Sequence, residues 1–288
     1  MKNKISLGTA NLNNNYGLNR KKIQFSSKEI KKILKLSAEN KIKNIDTAIR
    51  YRGVEKKLGK FNLNKFKIST KLSPISLKCK NIEKKIFTEI EHSIKKLNVK
   101  NIEIIFLHDS NELIYGKRKF KIYDSLIKVK KKGLIKKIGV SVYSLVDLKK
   151  VLDNFKIDVV QVPYSLIDRR FEKTFSLLKK KKINIQVRSI FLQGLLLYDY
   201  KNLPKYFFKF KELKKLDKWI KKYSISRLEA AISFVKQSKF IDSFVVGFNN
   251  FNQLKEIIKL FSKNNNKFPT NLFSDNIKLI DPRKWKIN

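Results

Sequence analysis

Eight short apolar runs, rich in β-branched residues, recur along the chain, and helix-like segments separate them. They are ISLGTA (5–10), NIDTA (44–48), KISTK (67–71), IEIIFLH (102–108), KKIGVS (136–141), DVVQVPY (158–164), NIQVRSI (184–190) and FVVGF (244–248). Near-continuous apolar runs mark strands covered on both faces, and a helix between successive strands is the usual crossover of a parallel pair. Eight such units predict one parallel sheet closed into a (β/α)8 TIM barrel. The competing architecture, an open doubly wound sheet, calls for a G-x-G-x-x-G turn after its first strand, and the chain has none there. No linker rich in Pro, Gly or Ser interrupts the pattern, so residues 1–288 read as a single domain.

The helices carry their own signatures. SSKEIKKILKLSAEN (26–40) opens on a Ser suited to an N-cap and sets Ile30, Ile33, Leu34 and Leu36 along one stripe. IEKKIFTEIEHSIKKL (82–97) aligns Ile86, Ile90, Ile94 and Leu97, with His92 off that face and therefore in solvent. Further helices fit 120–132, 145–154, 170–181, 206–222, 226–237 and 250–262. Two stretches exceed what a barrel connection needs, 192–205 and the tail after 262, and such extensions commonly shape a substrate pocket.

Composition narrows the function classes. The net charge of +43 invites a nucleic-acid reading, yet the excess is mostly lysine, spread over the whole chain beside abundant Asn and Ile. That is what an AT-rich coding sequence produces, so no specific nucleic-acid partner is expected, although small anions will be attracted. The single cysteine, Cys79, excludes an internal disulfide, and two histidines, His92 and His108, argue against a metal centre. No apolar run is long enough for a membrane span, and MKNKISLGTA has no signal-peptide core, so a cytoplasmic location is expected.

In a barrel of this kind, chemistry collects where the strands end at their C-terminal side. Asp46 closes the second run, Tyr51 follows in the loop beyond it, Lys71 closes the third and His108 the fourth. Each alone has an ordinary structural role: a helix cap, a rim aromatic, one lysine of many, a buried histidine. Four at the same end of one barrel form a candidate catalytic set.

These residues lie in motifs that resemble the aldo-keto reductase family along essentially the whole chain. GTA (8–10) is similar to its first-strand motif, and IDTAIRY (45–51) with VEKKLG (54–59) resembles its Asp-Thr-Ala-x-x-Tyr signature. ISTK (68–71) and IFLH (105–108) match its lysine and histidine strands. IGVS (138–141), QVPYSLIDRR (161–170) and RSIFLQGLLL (188–197) resemble its later cofactor strands, the last two being closest to bacterial branches. The chemistry suits the residue types. Carbonyl reduction needs a hydride at carbon and a proton at oxygen. A phenol can give that proton once a nearby ammonium lowers its pKa from about 10. The resemblance implies Tyr51 as acid, Lys71 as its modulator, Asp46 as the anchor of Lys71, and His108 orienting the carbonyl and sharing in proton transfer.

The resemblance further implies a nicotinamide cofactor, NADP(H) in preference to NAD(H), and no metal. Thr9 and Asp46 would border it. Ser141 and Gln161 would hydrogen-bond its carboxamide, Arg188 would stack on the ring, and Ser189 would meet the pyrophosphate. VVGFNNFNQLKE (245–256) would hold the adenosine end through Gly247, Asn249, Gln253 and the following helix N-terminus. A guanidinium plane can stack on a ring, but its charge would alter the cofactor's electronics.

Three departures from the family pattern involve four positions. Arg52 stands where many relatives have Gly, and Val142 where many have Asn. Gly247 and Gln253 stand where relatives that grip a 2′-phosphate carry Lys and Arg. The leading expectation is reduction of a small aldehyde, ketone or sugar-derived carbonyl. A non-catalytic sensor or regulatory subunit that keeps the barrel and binds the cofactor is the alternative. Substrate and oligomeric state stay open at this level.

Overall fold

A computed structural model of the chain describes residues 1–13, 17–18, 25–263 and 272–287. Eight strands, β1 (Ile5–Gly8), β2 (Asn44–Asp46), β3 (Lys67–Leu72), β4 (Ile102–Leu107), β5 (Ile135–Ser141), β6 (Val159–Pro163), β7 (Asn184–Arg188) and β8 (Ser243–Val246), form a closed barrel in chain order. Every pairing is parallel, and closure comes from β8 on β1, with Ile5 opposite Phe244 and Leu7 opposite Val246. The open-sheet alternative is thereby excluded.

Helices cover the barrel: α1 (Ser27–Glu39), α2 (Val54–Leu58), α3 (Ile82–Leu97), α4 (Asn111–Ile114), α5 (Arg118–Lys131), α6 (Leu145–Asn154), α7 (Phe175–Lys180), α8 (Lys211–Tyr223), α9 (Arg227–Lys236), α10 (Phe251–Ser262) and α11 (Ile277–Ile280). No described helix is long and apolar enough to cross a membrane. Ser26 caps α1 in a reciprocal capping box with Glu29, an arrangement typically worth about 1 kcal/mol. Ile30, Ile33 and Leu34 are buried as the spacing predicts, but the fourth buried position is Ser37. Its hydroxyl donates to Ile33 O at 2.7 Å, which satisfies it inside the core, and Leu36 stays half-buried. Along α3, Ile86, Ile90 and Leu97 are buried, Ile94 is half-buried, and His92 is exposed. The helix expected over 170–181 is shorter, because residues 172–174 form a 3-10 turn before α7.

Strand alternation sorts side chains between the barrel interior and the helical layer. On β3, Thr70 faces outward. Its hydroxyl and that of Ser93 on α3 both donate to Glu55 Oε1 of α2, at 2.8 and 2.5 Å. This buried carboxylate ties three elements together directly behind the next residue, Lys71, which points the other way, into the barrel. Gly139 on β5 shows how full the interior is: a Cβ there would lie 2.4 Å from the Phe106 ring of β4. That ring forms part of the floor under Lys71, whose Nζ is 5.8 Å from its centroid.

Candidate active site

The C-terminal ends of the strands surround a cavity of about 530 Å³, and every candidate site residue named from the sequence lines it. Segments far apart in the chain are brought together by the strand period. Lys71, Ser141 and Arg188 are each the last or next-to-last residue of a strand, and His108 follows directly on β4.

Asp46 and Lys71 form its electrostatic centre. Lys71 Nζ donates to Asp46 Oδ1 at 2.5 Å and to Thr47 O at 3.0 Å, with both side chains under 5% exposed. Burial lowers the Lys71 pKa, and Asp46 opposes that shift. Thr9 holds Asp46 from behind: its backbone N–H and its hydroxyl both donate to Asp46 O at 3.0 Å. The Thr9 hydroxyl is therefore engaged within the protein, although the residue borders the cavity.

Tyr51 sits half-buried over this pair. Its ring centroid is 5.8 Å from Lys71 Nζ and 6.4 Å from the His108 ring, which stands nearly perpendicular to it. The glycine missing after the tyrosine reappears one residue later. Gly53 takes φ +75° and begins α2, which leaves Arg52 exposed. Burial, followed by the fields of Lys71, Arg50 and Arg188, lowers the His108 pKa to about 4. At neutral pH the imidazole is therefore uncharged, a hydrogen-bonding group and not a cationic acid. Its Nδ1 is buried without a partner among the described residues.

Across the barrel, Gln161 completes a chain of hydrogen bonds. Its Nε2 donates to Asp46 Oδ2 at 2.8 Å and to Gln186 Oε1 at 2.6 Å. A carboxylate only accepts, so the amide nitrogen must face Asp46. Gln161 Oε1 is left buried without a partner in this lining. A buried acceptor left unsatisfied is costly, and a ligand N–H would relieve it.

Arg188 lies against Tyr143, with Cζ 4.0 Å from the ring centroid. Ser141 Oγ, Ser189 Oγ and Val142 O accept from it at 3.4, 3.3 and 3.4 Å. Ser189 has φ +59°, which turns the chain sharply as it leaves β7. At the β8 end, Asn250 caps α10 through Gln253 N, and Gln253 Oε1 accepts from Asn249 N at 2.7 Å. Asn249 Oδ1 accepts from Asn11 at 2.8 Å. A Cβ built on Gly247 would point into open space, so backbone is accessible there.

Of the two long stretches, 192–205 does contribute to the lining, through Gln193, Leu197, Tyr198 and Asn202 among others. In the tail, residues 264–271 lie outside the described residues. The described part acts indirectly. Arg283 lies over Tyr143 at 3.4 Å from its centroid, and Arg170 joins Tyr143 O to Ile280 O.

Three residues escaped the sequence reading. Tyr143 stands two places after Ser141 and Gln186 two before Arg188, so strand period alone pointed to both. Arg283 left no comparable signal, because its contact depends on how the tail folds back. No group of His, Cys, Asp and Glu able to hold a metal ion occurs among the described residues.

Residues 4–270 match the model of the Aldo/keto reductase family. No curated protein matches the sequence. Among solved structures, the chain is similar to an aldo-keto reductase from Bacillus halodurans in its holo form. That pair has 18% identity and a TM-score of 0.73, covering 92% of this chain and 88% of the other. It is also similar to a glycerol dehydrogenase from Gluconobacter oxydans, with 20% identity and a TM-score of 0.68 over 90% and 86% of the two chains. At these identities the structural likeness speaks for the barrel alone.

Proposed function

We propose that this chain, which belongs to the aldo/keto reductase family, is an NAD(P)H-dependent oxidoreductase that reduces a carbonyl to an alcohol with Tyr51 as general acid. The observation that carries the reading is the buried Asp46–Lys71 pair beside the Tyr51 and His108 rings. A bound reduced nicotinamide supplies the hydride. Gln161 fits its carboxamide: the buried, unpartnered Oε1 would accept an amide N–H of the ligand. Ser141 and Arg188 border the same region, Ser189 would meet the pyrophosphate, and Gly247, Asn249 and Gln253 line the way to α10.

Tyr51 donates the proton to the carbonyl oxygen. The Lys71 ammonium favours the phenolate that results and so strengthens the acid. Asp46 keeps that ammonium in place. His108, neutral at working pH, hydrogen-bonds the carbonyl oxygen and fixes its direction; it is not the proton source. The cofactor is NADP(H) in preference to NAD(H), a choice that rests on the family. Asn11 and Asn202 in the lining support a small hydroxylated carbonyl compound, such as a sugar-derived aldehyde or ketone.

The test is Tyr51→Phe. Across a panel of aldehydes, ketones and sugars, consumption of NADPH or NADH should fall about 10²–10⁴-fold. Cofactor affinity and circular dichroism should stay near wild type. Near-normal turnover in a folded variant removes Tyr51 from its role.

A further inference from the structure

Lys71 and Arg188 are the lysine and arginine side chains that line the cavity among the described residues, and only one of them is compensated. Lys71 is paired with Asp46 at 2.5 Å. Arg188 has no carboxylate within ion-pair distance among the described residues, and its printed hydrogen bonds run to neutral oxygens at 3.3–3.4 Å. The neighbouring arginines differ: Arg170 is paired with Asp168 and Arg283 with Asp281.

The uncompensated guanidinium is also held still. Arg188 Cζ and Arg283 Cζ lie 4.0 and 3.4 Å from the Tyr143 ring centroid. Both guanidinium groups lie against the one ring, each gaining from the ring quadrupole. Arg170 anchors the Tyr143 backbone, and Asp281 orients Arg283 through Nε and Nη2. Arg188 thus presents a fixed plane of positive charge to the cavity. Its field reaches the reacting groups, since it contributes to the lowered pKa of both Lys71 and His108.

We infer that the cavity discriminates between the two redox states of its cofactor, binding the reduced, uncharged nicotinamide ring more tightly than the oxidised, cationic one, with Arg188 as the residue responsible. The inference rests on the function proposed above and adds a preference to it. Phosphates, ribose and adenine are common to both states and cancel in the comparison. The ring charge differs, and only the oxidised ring meets a like charge at Arg188. The lysine excess of the chain acts in the same direction, because the reduced dinucleotide is more negative overall. That long-range part is screened by salt, whereas a contact inside the cavity is screened much less. The oxidised cofactor would leave readily after each turnover, and the protein would reload with the reduced form.

Calorimetric titration of the full-length protein with NADPH, NADP⁺, NADH and NAD⁺, at low and at high salt, tests this. At high salt the oxidised form should bind at least about five-fold more weakly than its reduced partner. That is the size of a like-charge contact a few ångströms long in a water-like dielectric. Arg188→Gln should bring the ratio close to one, and Arg188→Lys should keep part of it. A wild-type ratio near one, or a ratio unchanged in Arg188→Gln, overturns the inference and leaves the carbonyl-reductase reading standing. Failure of every form to bind removes both.

Discussion

The two ends of the barrel use the same chemical pair for different purposes. At the N-terminal ends of the strands, Asp158 leads into β6, accepts from Ile138 N of β5 at 2.8 Å, and pairs with Lys130 of α5. Asp242 leads into β8, accepts from Ile185 N of β7 at 2.7 Å, and pairs with Lys179 of α7. Both pairs keep about a third of each side chain in water. At the opposite end, Asp46 and Lys71 form an equally short pair that is almost wholly buried. A wet carboxylate–lysine pair staples strand to strand and has little other influence. The dry one perturbs the groups around it, because the same charges act through a lower dielectric. Lys236 is as buried as Lys71 but is held by the backbone carbonyls of Leu260 and Lys263, so it is burial together with a carboxylate partner that sets Lys71 apart in a chain so rich in lysine.

The comparison can be broken most directly at the lysines. Lys71→Met leaves Asp46 buried without its cation and should destabilise the fold by about 3–5 kcal/mol. Lys179→Met at the other end should stay within about 1 kcal/mol. Urea midpoints read both, and equal losses would mean that the two ends do not differ in kind. Lys71→Met should also move the alkaline limb of the pH–rate profile upward, because the Tyr51 phenolate loses its ammonium neighbour.

A smaller effect is expected at Gln161. Gln161→Leu removes a donor from the buried Asp46 carboxylate and should cost about 1.5–3 kcal/mol, the range for hydrogen bonds to charged groups. Asp242→Asn, which acts on a half-wet staple, should cost less. A reversed order in denaturant unfolding would contradict the assignment of the dry end.

The smallest effects depend on pH, and they oppose each other. His108 has its pKa lowered from 6.5 to about 4, so the unfolded chain binds the proton more readily. Its contribution is complete above about 6.5 and is lost as pH falls toward about 4. Glu112 on α4 accepts from Ile75 N at 2.6 Å, and burial raises its pKa from 4.5 to about 7. Its contribution is complete below about 4.5 and is lost as pH rises toward about 7. Between about 4.5 and 6.5 the two slopes partly cancel. His108→Asn should make thermal stability fall more steeply as pH rises through that window, and Glu112→Gln should make it rise more steeply. Parallel profiles for wild type and both variants would remove these two groups from the linkage.

The barrel was legible in the sequence because parallel strands buried on both faces leave continuous apolar runs, and no local alternative explains eight of them. Asp46, Lys71 and His108 were legible because strand ends can be read from where those runs stop. What stayed hidden depends on contacts between distant segments. The orientation of Arg188 is set by Tyr143 and Arg283, and the chain around Arg188 carries no mark of either. Nothing local distinguishes Ser37 from Leu36 as the inward residue of α1 until its hydroxyl is seen to bond within the helix. Thr9 does border the cavity, but its hydroxyl is held by Asp46 O, and one sequence position cannot say which neighbour a hydroxyl will choose.

Gln161 has a consequence that concerns handedness. Both of its amide hydrogens are held, one by Asp46 and one by Gln186, so the group cannot flip end for end. A carboxamide arriving opposite it meets an acceptor and must turn its own N–H toward the protein. With that polarity fixed, and with Arg188 bordering the same region, an attached planar ring would be restrained to present one of its two faces to Tyr51. On the proposed chemistry, hydrogen would then leave a single diastereotopic position of the reduced ring. Cofactor deuterated on one side would transfer all of its label to the product, and cofactor deuterated on the other side none.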